Sequence, residues 1–363
     1  MTVPFTGSYS ADDVEFLLTP IEMEDTPVAV KEALIQSGRR HYSEMLTRES
    51  LPSDAYVQLF HDALALNGRR MAGHLLILAD RIARLRKGRI ALVSLARAGT
   101  PVGVLLKHVL QRHFGRKTAH YSLSILRDKG IDRNALRHIL QRHPPESLVF
   151  VDGWTGKGVI AGELAASLED FAASDGIRIP ADLFVLADLS GSAAVAASHE
   201  DYLIPSCVLN STVSGLISRS VWRQGIGDPA AFHGCLYYKE FEPHDLSRFF
   251  VDAMLDYAEE VYRQSGVPAS ERPYDSKRLK AVSLDFLKAV AQRYRISHYN
   301  YIKPGIGEAT RVLLRREAGR LLLENPGSEA TRHLLWLAES KSIPIEVCQD
   351  MPYRAAALIK EVK

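Results

Sequence analysis

The chain has 363 residues, 46% hydrophobic and 24% charged, with a formal net charge of +2. This is an ordinary globular composition, long enough for two domains, and too evenly balanced to imply a nucleic-acid partner from bulk charge alone. Cys207, Cys235 and Cys348 are spaced too widely for a metal-ligand pair or a disulfide framework. The start lacks a basic stretch followed by an apolar core, and no apolar run nears the roughly 18 residues of a membrane span, so a cytoplasmic protein without membrane association is expected.

Residues 1–50 carry turn and cap signals such as Ser10-Ala11-Asp12-Asp13, and Tyr42, Ser43 and Glu44 read as a solvated helix face. Apolar spacing predicts a helix from Asp54 to Arg86. Arg89–Leu95 reads as a strand. It runs into the loop Ala96-Arg97-Ala98-Gly99-Thr100-Pro101, and a helix with an apolar face begins at Val102. A strand is expected over His120–Ile125, followed by a turn or mobile flap at Arg127-Asp128-Lys129-Gly130 and a short helix over Asn134–Gln141.

The stretch that organises the chain comes next. Leu148-Val149-Phe150-Val151 is a short buried strand, Asp152 stands at its end, and Gly153-Trp154-Thr155-Gly156-Lys157-Gly158 leads into a helix from Val159. Further strands are expected at Leu183–Ala187, ending at Asp188, and at Tyr202–Pro205. The hydroxyl-rich run Asn210–Arg219 fits either a helix start lining a pocket or a packed cap and turn. Phe249–Arg263 is an amphipathic helix. Strands alternating with helices predict an α/β fold whose sheet is mostly parallel with helical crossovers.

A linker is expected at 266–276, between a domain at 1–265 and a small α/β domain at 277–363. Arg272 to Arg320 holds twelve Lys/Arg against four Asp/Glu. With Tyr294, Tyr299 and Tyr301 interleaved, this fits an RNA-contacting face or a solvated basic helix equally well. The remainder reads as helix (Glu308–Arg316), strand (Leu321–Leu323), helix (Thr331–Ser340), strand (Ile345–Val347) and helix (Tyr353–Glu361).

The glycine-rich loop after Asp152 admits three readings. A nucleotide P-loop needs Ser or Thr after the lysine, but Gly158 follows Lys157. A dinucleotide fingerprint needs an early strand and a downstream acid, and the order of elements does not fit. A phosphoribosyl diphosphate site uses both strand–loop–helix corners. Gly153, Trp154, Thr155, Gly156, Lys157 and Gly158 would cradle the 5-phosphate at a helix amino end, with Asp152 toward the ribose hydroxyls. Arg97, Ala98, Gly99 and Thr100 would hold the diphosphate, although an arginine in such a loop is more often an exposed charge. This reading requires the two corners to meet over one edge of the sheet. Arg127 and Lys129 read as surface charge or as a hood over the substrate.

Val149–Gly158 resembles the signature loop of type I phosphoribosyltransferases. More closely, it resembles the phosphoribosyltransferase-like proteins encoded with bacterial tellurite-resistance and stress-response operons, whose diphosphate loop Ser94–Pro101 matches. The resemblance spans roughly residues 5–265. It implies magnesium, phosphoribosyl diphosphate and a nitrogenous base as partners, with Asp152 as the catalytic carboxylate. Most such enzymes carry two adjacent acids where this chain has Asp152 between Val151 and Gly153. The same family carries a C-terminal Pelota-type RNA-binding domain, which residues 301–362 resemble. That likeness implies structured RNA contacts at Gly305, Glu308 and Arg311, with Gly307 standing where an asparagine is usual. Alternatives are an RNA-binding regulator that senses a phosphorylated ribose, and the cysteine-protease (StiP) label of the family, for which Cys207 with His199 or His233 would be needed.

Overall fold

The structure is a computed structural model. It describes residues 4–222, 230–269 and 275–361. Strands β1 (Glu15–Leu17) and β2 (Thr19–Pro20) precede α1 (Val28–Gln36) and the long α2 (Asp54–Leu85). There follow β3 (Ile90–Leu95), α3 (Gly99–Phe114), β4 (Thr118–Leu123), a hairpin of β5 (Ile125–Leu126) and β6 (Gly130–Ile131), and α4 (Arg133–Leu140). Then come β7 (Leu148–Thr155), α5 (Val159–Asp175), β8 (Leu183–Asp188), β9 (Val195–Ser198), β10 (Gly234–Cys235) beside β2, and α6 (Ser247–Ser265).

Six strands form one sheet in the order β1-β4-β3-β7-β8-β9. Every neighbouring pair in it is parallel. Both faces are covered, so β3 (Ile-Ala-Leu-Val-Ser-Leu) and β8 (Leu-Phe-Val-Leu-Ala-Asp) are buried along their whole length and read as near-continuous apolar runs. Leu92, Val149 and Phe184 pack with residues of α2, α3 and α6, including Leu75, Leu105 and Phe250. Val93, Phe150 and Val185 pack on the other face with Leu136 of α4 and Leu164 and Phe171 of α5.

The C-terminal region contains α7 (Ser276–Tyr294), β11 (Ile302–Pro304), α8 (Ile306–Arg315), β12 (Ala318–Leu323), α9 (Arg332–Ser340), β13 (Ile345–Val347) and β14 (Ala355–Ile359). Its four-stranded sheet has the order β11-β14-β12-β13. The apolar side of α8 (Ile306, Ala309, Val312, Leu313) belongs to the same hydrophobic cluster as Leu203 and Val208 of the first part. Polar bonds reinforce this seam. Asp201 accepts the backbone N–H of Ile306 at 2.8 Å and of Arg354 at 2.9 Å. Arg315 donates to the carbonyls of Cys207 and Leu209 at 3.3 and 3.2 Å, and Arg316 Nε bonds Glu32 at 3.0 Å.

Two expectations need correction. Tyr202–Pro205 is an extended loop entering a 3-10 turn at Pro205–Cys207, and the sixth strand is instead Val195–Ser198. Tyr353–Glu361 is not a helix. Its core is β14, fully buried between β11 and β12. Alanine favours helix intrinsically, but two ladders of backbone hydrogen bonds and burial on both faces override that preference. The linker expected at 266–276 lies partly outside the described residues, and α7 begins at Ser276.

Candidate functional site

From β3 the chain steps to β4 on one side and returns to β7 on the other. The carboxyl ends of β3 and β7 therefore flank a topological switch point, where open α/β sheets bind ligands. The two corners do meet there. A Cβ on Gly99 would lie 2.5 Å from the Val151 carbonyl oxygen and 3.2 Å from the Asp152 Cα, so only glycine allows the first corner to lie against β7.

A cavity of about 310 Å3 opens at this point. The sheet side contributes Ala98, Asp152, the Trp154-Thr155-Gly156-Lys157-Gly158 loop and the first residues of α5. Tyr42 and Arg127 line one flank, and Asn300, Lys303, Pro304, Glu308 and Arg311 form the opposite wall. Strand β7 runs four residues past Val151 to Thr155, so Asp152 lies within the strand and shares one face with Trp154. Thr155 faces the other way. Its hydroxyl donates to the Asp188 carboxylate and accepts from Ser190 Oγ at 2.9 Å. Asp188 also takes the N–H groups of Ser190 and Ala193 at 3.0 and 2.9 Å, which fixes the floor of the loop. Gly158, at φ +78, caps α5, and a Cβ there would lie 2.7 Å from that of Ser192.

Several residues expected to bind substrate lie elsewhere. Arg97 is absent from the lining because its guanidinium is consumed by structure: Nη1 bonds Glu49 at 2.5 Å and the Ile217 carbonyl at 3.0 Å, and Nη2 bonds Asn210 at 2.6 Å. Thr100 is buried and shares a 2.7 Å hydrogen bond with Ser122. Neither Gly99 nor Gly153 lines the cavity: Gly99 permits close approach of the two loops, whereas a Cβ on Gly153 would meet only the Ala98 carbonyl oxygen at 3.9 Å, an ordinary contact. Of the proposed hood, Arg127 reaches the cavity, whereas Lys129 lies over the Trp222 ring at 5.8 Å.

The positions expected to meet RNA lie on the seam. Gly305, at φ +89, packs where a Cβ would stand 2.6 Å from Leu189 Cδ1. Glu308 and Arg311 face the cavity. Arg311 stacks on the Trp154 ring, its guanidinium carbon 4.2 Å from the centroid. A Cβ on Gly307 would stand 3.3 Å from the same indole, so an asparagine there would require the ring to shift. Sequence reasoning missed the cavity roles of Tyr42, Asn300 and Lys303, and the supporting carboxylates Asp188 and Asp201. The alternation Asp152-x-Trp154 was the available signal for the shared face.

Four cationic side chains (Arg127, Lys157, Lys303, Arg311) converge with two carboxylates, Asp152 and Glu308. Desolvation pushes Asp152 up to about 6, against the Gly153 N–H it accepts and the charge of Arg311. Lys157 is brought down to about 7 by desolvation and then by the charge of Lys303, while its Nζ donates to the Tyr299 carbonyl at 2.5 Å. Burial lowers Lys303 despite the pull of Glu308. Burial would raise Glu308, but Lys303, Arg311 and Lys157 together hold it below its ordinary value. The excess of positive charge, the start of a 17-residue helix and a glycine loop give this cavity the chemistry that suits an anion.

The cysteines offer no comparable arrangement. Cys207 and Cys235 are fully buried, and burial pushes their thiols up to about 11 and about 12. His233 bonds Ser124 Oγ at 2.9 Å. Among the described residues no cluster of three or more His, Cys, Asp or Glu side chains could hold a metal by itself, and no helix is long and apolar enough to cross a membrane.

Fold and site define a parallel α/β sheet protein whose switch-point cavity is completed by a C-terminal α/β region. Comparison with known proteins agrees with this two-part plan. The family model described as "Tellurite-like stress resistance cysteine protease StiP" matches residues 7–255, and the PELOTA RNA binding domain model matches residues 281–361. A curated relative, the "Cysteine protease StiP" of Acinetobacter baylyi, is 39% identical over 371 positions, covering 99% of this chain and 95% of the relative. The chain belongs to the StiP family. Among solved structures, the hypoxanthine phosphoribosyltransferase of Trypanosoma cruzi shows 15% identity over 36% of this chain and 77% of its own, at a TM-score of 0.28. The same enzyme in complex with the product IMP shows 15% identity over 50% and 93%, at 0.25. Likenesses so slight carry no argument.

Proposed function

We propose that the chain binds phosphoribosyl diphosphate in the switch-point cavity and transfers the 5-phosphoribosyl group to or from a nitrogenous base. The observation that carries this reading is the convergence of the α5 amino end, the Thr155–Gly158 loop and four cationic side chains on one cavity floored by Asp152. The helix end and Lys157 suit a monoester phosphate. Arg127, Lys303 and Arg311 suit further phosphate charge. A carboxylate beside the sugar favours the positive charge that develops on the ribose ring as diphosphate departs. The protein's work is then mostly positioning and fixed electrostatics. Asp152 holds the ring side, and the cationic wall holds the departing anion. Arg97, locked to Glu49, would act only by keeping the first loop in place.

Magnesium fits as part of the ligand complex, since this ion is commonly held by one or two carboxylates together with substrate phosphates, and Asp152 is such a carboxylate. When bound it would neutralise charge on the diphosphate. A reading from another class, an RNA-binding regulator whose cavity only senses a phosphorylated ribose, is favoured by the PELOTA match. The protease name of the relative would require an accessible, activated thiol.

Titration of phosphoribosyl diphosphate with magnesium by calorimetry, combined with diphosphate release in the presence of candidate bases, tests the proposal. Saturable binding and release are expected, with Asp152→Ala slowing release on the order of a hundredfold. Binding without release for any base favours the sensor. Absence of binding overturns the reading.

A further inference from the structure

The C-terminal region lines the same cavity as Asp152, and Glu308 is among the residues it contributes. The side chain is 24% exposed, enough for its oxygens to reach the cavity. Its charged neighbours stand back: Lys303 Nζ is 3.8 Å away and Arg311 Nη1 is 3.5 Å away. Those separations give attraction but no well-formed hydrogen bond. Among the described residues Glu308 accepts no hydrogen bond, although the surrounding cations keep it ionised. The contrast with Glu32 and Glu49 is plain, because both of those spend their oxygens on protein donors. Beside Glu308, the Nε of Arg311 is buried and has no acceptor among the described residues.

Polar groups held in a folded interior are as a rule satisfied. A carboxylate lacking donors, next to a guanidinium N–H lacking an acceptor, outlines a ligand that carries hydroxyls close to an anionic group. The placement fits a sugar held by the glycine loop: a Cβ on Gly156 would stand 3.2 Å from Glu308 Cγ, so the acid lies directly over that loop. Asp152 is less suited to the same task, because one of its oxygens already takes the Gly153 N–H at 2.8 Å.

We propose that Glu308 accepts the vicinal hydroxyls of the bound ribose, one on each carboxylate oxygen, so that the C-terminal region selects ribose over deoxyribose. This rests on the phosphoribosyl reading above. In this role Glu308 is a specificity-determining residue supplied by the region that matches an RNA-binding model, and it shares the sugar with Asp152 from the other side.

The test compares ribose 5-phosphate with 2-deoxyribose 5-phosphate by calorimetry on the native protein, Glu308→Gln and Glu308→Asp. The native protein is expected to prefer ribose 5-phosphate by about tenfold or more, the usual worth of a hydrogen bond to a charged group. Glu308→Gln should bring that preference to within about threefold by weakening the ribose sugar alone. Glu308→Asp keeps the charge between Lys303 and Arg311 but withdraws the oxygens by one methylene, and should lose preference in the same way. It serves as the measure if the glutamine variant folds poorly. Equal weakening of both sugars, or an unchanged preference, overturns the role of Glu308 and leaves the phosphoribosyl reading standing. Binding of neither sugar to the native protein overturns both.

Discussion

Two charged clusters flank the same edge of the sheet, and they are built on opposite principles. In the first, Arg97 and Glu49 saturate one another and their neighbours: the guanidinium also bonds Asn210 and Ile217, and the second Glu49 oxygen takes the Ser211 N–H at 3.0 Å. In the second, Glu308 attracts Lys303 from 3.8 Å and Arg311 from 3.5 Å, and among the described residues the Arg311 Nε has no hydrogen-bond partner. Both clusters contain an acid and arginines near a βα loop. The difference teaches that hydrogen-bond saturation, rather than residue type, separates a structural brace from a cluster with bonding capacity to spare.

The sharpest way to break this comparison is Glu49→Ala. Both side chains of the brace are well buried, with exposures of 13% and 14%. Removing one partner leaves Arg97 charged and uncompensated, and stability is expected to fall by about 3–5 kcal/mol, read as a lowered midpoint in denaturant unfolding. A loss below about 1 kcal/mol would place the pair among ordinary solvated ion pairs and dissolve the distinction.

A smaller effect is expected from pH at the open cluster. Lys157 sits at about 7 in the ligand-free protein, so its ammonium is present at pH 6 and mostly lost by pH 8. Affinity for ribose 5-phosphate should therefore fall as pH rises through 7, by at most about tenfold per unit. Asp152 loses its proton near 6 and pulls the same way. Lys157→Arg keeps its charge throughout. The difference between native and variant isolates Lys157, and parallel profiles would remove it from the anion site. Smallest of all is Cys207→Ala, which should leave sugar-phosphate binding unchanged and cost about 1 kcal/mol of stability from a minor packing loss. Loss of an activity in this variant that Asp152→Ala spares would restore a thiol mechanism.

Much of the parallel sheet was legible because its strands are apolar runs bounded by glycine and proline, as in Leu148–Val151 and Leu183–Ala187. The elements that escaped are those whose residues speak weakly. Val195-Ala196-Ala197-Ser198 is an edge strand of small side chains, and Ala355–Ile359 reads as helix until two neighbouring strands claim its backbone. At the site, the glycine loop and Asp152 announce themselves locally. The partners do not. Nothing in Arg97 points to Glu49, 48 positions earlier, and nothing in Glu308 points to Gly156. The first pairing is set by packing within the first part of the chain and the second by how the C-terminal region docks, and local pattern encodes neither.

The stack of Arg311 on Trp154 carries a consequence for how the two halves communicate. The cavity has its C-terminal wall only while α8 rests on the sheet, so a small ligand that filled it would touch both halves. A long polyanion drawn to Arg311 would have to prise that joint apart. By reciprocity, whatever factor such a chain imposes on sugar affinity, the sugar must impose on the chain. If both ligands bind as proposed, the indole and the guanidinium are where occupancy by one would be felt by the other.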